Sequence, residues 1–127
     1  MPLVSWWGFD MPREIEQLTV EDYVRAFEAA FKHIREHHKG IVRSHYRAKN
    51  FTATAGELAY HMGYEGHEGI NAQYGLFADG ICGSLNVDPV MKLDVLVTTS
   101  RSDDGTVLLM MRPVVVDALR MLSPPWL

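Results

Sequence analysis

FTATAGELAYHMGYEGHEGINAQYGLFADGI, residues 51 to 81, is the stretch of sequence that decides the fold. Its first half predicts a short helix that Thr54 caps and Gly63 ends. Its second half predicts a longer helix that follows a turn over residues 64 to 69 and ends near Leu85. In this helix apolar residues recur at spacings of three and four: Ile70, Tyr74, Phe77 and Ile81. Two helices joined by a short glycine-containing turn are the helix-turn-helix arrangement.

Upstream of this pair, the sequence predicts a long amphipathic helix that begins at the N-cap Thr19. Its apolar residues again recur at helical spacing: Val20, Tyr23, Val24, Phe27, Ala30, Phe31 and Ile34. Gly40 is expected to interrupt or bend the helical run. A second helix is then indicated by Ile41, Val42, His45 and Tyr46. Residues 51 to 54 predict a short strand.

Downstream, the apolar period changes from helical to alternating. The alternation of Leu93, Val95 and Val97 predicts one strand, and residues 102 to 105 predict a turn. After the turn, a second alternating run predicts the other strand of a β-hairpin: Val107, Leu109 and Met111. Pro113 is expected to begin a last helix. This order predicts an α+β winged helix-turn-helix core with an extra N-terminal amphipathic helix and a C-terminal β-hairpin plus short helix. We expect an irregular arm over residues 1 to 18 and one winged-helix domain over 19 to 127.

Length and composition are those of one globular domain. The chain has 127 residues, 47% of them hydrophobic and 22% charged, enough for a hydrophobic core. A single cysteine excludes an internal disulfide, and we find neither a signal-peptide pattern nor a membrane-spanning run. We therefore expect a cytoplasmic protein. The formal net charge is −4 but is unevenly spread, because residues 32 to 49 hold six basic residues and only one acid, Glu36.

The quoted stretch resembles a small winged-helix-like domain of bacterial defence-associated proteins, often found next to an HNH-type endonuclease domain. The resemblance continues through the Met111-Arg112-Pro113 step and covers roughly residues 19 to 122. The matching pieces are Thr54-Ala55, Glu57-Leu58-Ala59, Gly63-Tyr64, Asn71 and Gln73-Tyr74-Gly75. It implies a winged-helix fold in a nucleic-acid or defence context. It does not imply catalysis, because the nuclease part has no counterpart here.

Nucleic-acid binding is one function that these features favour. Proteins contact phosphates mainly through Lys and Arg, and base edges also through Asn and Gln. The candidate nucleic-acid-binding residues are Lys39, Arg43, Arg47, Lys49, Asn71, Gln73 and Arg101. A solvated charged surface is the alternative. The longer helix carries Leu76 where such domains tend to have a basic residue, and Asp103 and Asp104 in the hairpin turn would repel phosphate.

We identify no catalytic residue, metal site or cofactor in the sequence. His33 and His37 stand four residues apart, a spacing that can place two imidazoles on one metal ion, but the sequence suggests no third ligand and neighbouring His38 should point elsewhere. Cys82 has no adjacent base and is expected to be a small packing residue. Trp6, Trp7 and Trp126 are expected to pack onto the domain or to anchor a partner.

Two hypotheses remain open. The first is a DNA-binding protein, such as a regulator or a targeting subunit for a separate nuclease. The second is a phage-type, anti-CRISPR-like inhibitor that acts by protein interaction with a defence complex, for which the acidic remainder of the chain is suited. An exposed Leu76 would permit a homodimer. Neither hypothesis includes an enzyme activity or a membrane partner.

Overall fold

The computed structural model of the chain describes residues 12 to 31 and 33 to 127. The described α-helices are α1 (Val20–Phe31), α2 (Glu36–Tyr46), α3 (Ala55–Met62), α4 (His67–Leu85) and α5 (Pro113–Arg120). The described strands are β1 (Thr52–Ala53), β2 (Val97–Arg101) and β3 (Val107–Met111). They form one antiparallel sheet in the order β1-β3-β2. The fold class is therefore α+β, as the sequence predicts.

The start of α1 is fixed by Thr19, as its position before the apolar run predicts. Its backbone amide donates to Asp22 Oδ2 at 2.9 Å, and its hydroxyl oxygen accepts from the Asp22 amide at 3.2 Å. Of the predicted arm, residues 12 to 18 hold a short 3-10 helix, and Arg13 pairs through its backbone with Val87. Trp6 and Trp7 lie outside the described residues.

The prediction that Gly40 interrupts the helical run is wrong. The break lies at residues 33 to 35, and α2 continues through Gly40 to Tyr46. Space for a side chain at position 40 is limited, because a Cβ there would lie 2.7 Å from the terminal methyl carbon of Met62 in α3. A side chain at position 40 would therefore require the end of the Met62 side chain to move.

The helix pair at the centre of the chain forms as its sequence predicts. The Thr54 hydroxyl oxygen accepts a hydrogen bond from the Glu57 amide at 3.0 Å, and the Thr54 amide donates one to the Glu57 carboxylate at 3.0 Å. Gly63 ends α3 with a φ of 77°, a left-handed conformation that glycine adopts without strain. The turn is shorter than expected, because α4 already begins at His67.

The predicted first strand of the hairpin is only partly correct. Lys92–Val95 forms a 3-10 helix, and β2 begins at Val97. The consecutive residues Val95 and Leu96 are both buried, whereas neighbouring residues of a strand point to opposite faces. The turn at residues 102 to 105, β3 and the helix begun by Pro113 are all present.

The hydrophobic core joins α1, α4 and the C-terminal tail. The rings of Phe27 and Trp126 lie 5.5 Å apart, and those of Phe77 and Trp126 lie 6.1 Å apart. Trp126 is only 2% exposed. It therefore packs onto its own domain, one of the two roles that the sequence left open. Among the described residues, no helix combines the length and apolar character that crossing a bilayer requires.

Candidate functional site

The predicted phosphate-contacting residues of α2 share one helical face but are partly engaged within the protein. Lys39, Arg43 and Arg47 follow one another at spacings of four residues. Lys39 is half-buried, with its Nζ 3.6 Å from Glu36 Oε1. Arg43 donates from Nε to the Trp126 carbonyl oxygen at 2.9 Å. Two of the three cations therefore contribute to the packing of α2 as well as to its surface charge.

A group of exposed basic side chains lies at the end of α2. The side chains of Arg47 and Lys49 are exposed, and so is that of Arg120 at the end of α5. Arg120 donates from Nε to the Tyr46 hydroxyl at 2.8 Å, and its guanidinium carbon lies 5.7 Å from the Tyr46 ring centroid. Sequence reasoning missed Arg120, because no pattern along the chain places α5 beside Tyr46.

Gln73 is held by two histidines rather than presented to solvent. His37 and His38 each place Nε2 at 2.9 Å from Gln73 Oε1, so the imidazole N–H groups donate to the amide oxygen. All three side chains are half-buried. The expectation that His38 points away from His37 is therefore wrong, because their rings lie 4.4 Å apart. A base contact by Gln73 would first require loss of these bonds.

The exposed face of α4 is neutral to acidic. Asn71 is exposed on it, as a base-reading residue would need to be, and Leu76 is 60% exposed. Glu68 and Asp79 are exposed on the same helix. No Lys or Arg occurs anywhere in the sequence of α4. Phosphate contacts along this helix would therefore lack the cations from which such contacts draw their strength.

A partly open groove of about 900 Å³ lies between α4, the start of α3, the segment after α4 and the β2–β3 hairpin. Among the residues that line it are six apolar ones: Ala55, Val90, Met91, Leu93, Val107 and Leu109. Val90 is 100% exposed and Met91 is 64% exposed. Clustered exposed apolar side chains beside a concave surface are typical of a binding site. Among the predicted site residues, Asn71 lines this groove.

The surroundings of the groove are mainly acidic. Glu57 and Glu68 are exposed next to lining residues of α3 and α4, and Asp103 and Asp104 are exposed at the hairpin tip. Lys92 lines the groove, but its ammonium group pairs with Asp88. The ends of the groove therefore favour a positively charged ligand over a phosphate.

In the hairpin tip, Arg101 and Asp104 form hydrogen bonds within the turn itself. Arg101 donates from Nη1 to the Gly105 carbonyl oxygen at 2.9 Å. Hydrogen bonds from Ser102 and Thr106 hold the pKa of Asp104 down at about 2, so this carboxylate stays charged. Arg101 is exposed, but it stands beside two acids in the tip.

A buried histidine fixes the relative positions of the elements around the groove. His45 of α2 accepts a hydrogen bond from the Tyr74 hydroxyl of α4 at Nδ1 and donates from Nε2 to the Leu109 carbonyl oxygen of β3. The distances are 2.8 and 2.9 Å. Burial lowers the pKa of His45, so its imidazole is neutral at pH 7. Leu109 and Gly75, the residue after Tyr74, both line the groove, so these bonds join two of its walls.

The described residues hold no other obvious chemistry. Cys82 is buried, and burial raises the pKa of its thiol to about 11, which leaves it protonated and a poor nucleophile. No described group of three or more His, Cys, Asp or Glu side chains is placed to hold a metal ion. The groove therefore offers shape, apolar surface and charge rather than a set of reactive groups.

Sequence reasoning missed the groove itself. Val90 and Met91 follow Pro89 in a segment without helical or alternating period, so their apolar character carried no structural signal.

No known protein family matches the chain, and no curated protein or solved structure shows significant similarity to it. The resemblance to winged-helix-like defence domains stays a prediction.

Proposed function

We propose that the chain is a non-enzymatic binding module with a winged helix-turn-helix core, and that the groove between α4 and the hairpin binds an apolar segment of a partner protein. The order α2-β1-α3-α4-β2-β3 supports the winged-helix assignment. So does the sheet order β1-β3-β2, in which the hairpin lies beside the helix-turn-helix pair. In this assignment α4 is the recognition helix and the β2–β3 hairpin is the wing.

The exposed apolar residues beside the groove carry the proposal. Val90 and Met91 stand on its edge at 100% and 64% exposure. Burying them against a partner would contribute about 25 cal/mol for each Å² of apolar surface removed from water. Because the groove is partly open to solvent, it suits a peptide segment better than an enclosed small molecule. The acids around it favour a segment that is flanked by Lys or Arg.

The chemistry of α4 also favours a protein over DNA as the partner of this face. A recognition helix normally presents Arg, Lys, Asn or Gln to base edges. Here Gln73 is held by His37 and His38, and the exposed Leu76 stands beside acidic residues. The sequence resemblance supplies a defence context. Within that context, we favour a phage-type, anti-CRISPR-like inhibitor that binds a protein of a defence complex.

Peptide selection tests the proposal without a known partner. Phage-displayed random peptides are selected on the immobilised protein and then measured in solution by fluorescence anisotropy. We expect the selected sequences to combine apolar residues with Lys or Arg. Val90→Asp with Met91→Asp should weaken their binding by about tenfold or more, because a charge within an apolar contact must be desolvated.

A control pair of substitutions introduces the same two charges outside the groove. Tyr60 and Met121 are exposed apolar residues that do not line the groove. Tyr60→Asp with Met121→Asp should therefore leave peptide binding unchanged. Selected peptides whose affinity responds equally to both pairs of substitutions would refute the groove as the binding site.

Contact with a nucleic-acid backbone near the end of α2 is the second candidate function. The exposed side chains of Arg47, Lys49 and Arg120 favour it. Anisotropy titrations with a labelled duplex and a matched single strand would show salt-dependent binding that Arg47→Glu with Lys49→Glu abolishes. Arg101→Glu, in the hairpin tip, should leave that binding intact. Absence of binding at low salt would exclude this candidate.

A further inference from the structure

The side chains of His37 and His38 converge on a single atom although they are consecutive residues of a helix. Neighbouring residues of an α-helix project about 100° apart. In the first turn of α2, however, both imidazoles turn towards α4 and place Nε2 at 2.9 Å from Gln73 Oε1. Their rings meet edge to face, with centroids 4.4 Å apart. Two imidazole nitrogens of α2 therefore converge on one amide oxygen of α4.

The distances in this cluster correspond to a known coordination geometry. Nitrogen and oxygen ligands bind first-row divalent metals at about 2.0–2.2 Å. Two ligands 2.9 Å apart that are each about 2.05 Å from a metal ion subtend an angle of about 90° at that ion. A tetrahedral site would need a separation of about 3.3 Å at the same bond lengths. Each nitrogen–oxygen pair thus has the separation of neighbouring ligands in an octahedral or square-planar site rather than in a tetrahedral one.

The donor types agree with this geometry. Imidazole nitrogen suits copper, nickel and zinc, and tetragonal sites with nitrogen and oxygen ligands are typical of Cu²⁺ and Ni²⁺. The three side chains are half-buried, so water can complete the coordination. The nearest charged residues of α2 are Glu36 and Lys39, whose side chains pair with each other. The amide oxygen of Gln73 is the third donor.

We propose that His37, His38 and Gln73 form a binding site for Cu²⁺ or Ni²⁺ that links α2 to α4. The imidazoles bind through the lone pairs of Nε2, and each keeps its single proton on Nδ1. The Gln73 oxygen is then a ligand instead of a hydrogen-bond acceptor. The site is separate from the groove, which Gln73 does not line, so it is independent of the function proposed above.

Calorimetric titration of the protein, prepared without a histidine tag, tests the site with NiCl₂, CuCl₂ and MgCl₂. We expect one equivalent of Ni²⁺ or Cu²⁺ to bind and Mg²⁺ not to bind, because Mg²⁺ prefers oxygen ligands. His37→Gln and His38→Gln should each lower the affinity for Ni²⁺ by about tenfold or more, since even the loss of an outer hydrogen-bond partner costs metal sites that much. Electron paramagnetic resonance of the Cu²⁺ complex should show two equatorial nitrogens, and one in either variant.

Control substitutions separate this site from ordinary surface histidines. His61 and His67 are exposed and lie outside the cluster, so His61→Gln with His67→Gln should leave the affinity unchanged. His33 lines a small cavity together with His38 and is the competing ligand. An affinity that depends on His33 and not on His37, or that survives His37→Gln with His38→Gln, would overturn the proposal. Circular dichroism of each variant would show that it remains folded.

Discussion

The imidazole of His45 and the hydroxyl of Tyr74 form a buried hydrogen bond of 2.8 Å that joins α2 to α4. Neither side chain has access to water, since His45 is 0% exposed and Tyr74 is 1% exposed. The second ring nitrogen of His45 donates to the Leu109 carbonyl oxygen of β3. One neutral side chain thus satisfies polar groups of two other elements in the interior, and its protonation at Nδ1 would remove the acceptor of the Tyr74 hydroxyl.

Acid should destabilise the protein through His45. Burial lowers the pKa of His45 in the folded chain below its ordinary value of 6.5. The stabilising contribution is therefore complete above pH 6.5 and decreases below it, where the unfolded chain binds a proton that the folded chain does not. We expect a loss of up to about 1.4 kcal/mol for each pH unit below 6.5, until the pKa of the folded state is reached. Urea unfolding at pH 7.5, 6.5 and 5.5 measures this loss.

The same prediction can be checked at the residue itself. Asp22, the buried carboxylate of the described residues, does not contribute to the loss of stability between pH 7.5 and 5.5, because its pKa of about 2 lies far below this range. In a nuclear magnetic resonance titration, the ring protons of His45 in the folded protein should titrate at a lower pH than the ordinary imidazole value of 6.5, because burial lowers the pKa of His45. A midpoint near pH 6.5 for His45 in the folded protein would contradict the prediction.

Tyr74→Phe should destabilise the fold by about 1–3 kcal/mol, because it leaves His45 Nδ1 buried without a hydrogen-bond donor. Tyr60→Phe is the matched control. Its hydroxyl belongs to a side chain that is 82% exposed, so its removal should change the free energy of unfolding by less than about 0.5 kcal/mol. Equal effects of the two substitutions in urea unfolding would show that the buried hydrogen bond contributes no net stability.

Asp22→Ala should remove the link between the start of α1 and the segment before it. Burial alone would raise the pKa of Asp22, but hydrogen bonds from Arg13 and Thr19 outweigh it and hold the pKa at about 2. Loss of this capping carboxylate should lower the free energy of unfolding by about 1–2 kcal/mol. The carboxylate contributes stability above about pH 4 that is lost as the pH falls towards 2. Glu21→Ala, in the same turn but exposed, should have a much smaller effect, and a comparable loss would argue against the capping role.

The elements that could be predicted from the sequence are those set by local chemistry. Thr54 and Gly63 bound α3 because a cap hydroxyl and a left-handed glycine act within a few residues of themselves. Pro113 begins α5 for a similar local reason. The predicted cations of α2 do share a face, since helical spacing alone determines that.

What could not be predicted depends on contacts between distant segments. The convergence of His38 on Gln73 requires the packing of α2 against α4, and the groove requires the segment at Val90 to stand opposite the hairpin. The placement of Arg120 beside Tyr46 requires α5 to return to the end of α2. None of these relationships has a period or a spacing along the chain.

Gly40 is the clearest example of a residue whose surroundings depend on a distant segment. The stability change of Gly40→Ala can therefore be predicted to differ between two backgrounds. In a helix interior Gly→Ala stabilises by about 1 kcal/mol, but a Cβ at position 40 would lie 2.7 Å from the methyl carbon and 3.2 Å from the sulfur of Met62. We expect Gly40→Ala to gain about 1 kcal/mol in a Met62→Ala background and clearly less in the native background, where Met62 must move. Gly80→Ala is the control, because a Cβ at position 80 of α4 meets nothing within 4 Å. It should stabilise by about 1 kcal/mol in both backgrounds. Urea unfolding of the four variants of the Gly40–Met62 cycle decides the question, since an equal gain in both backgrounds would mean that contact with Met62 is not the reason for glycine here.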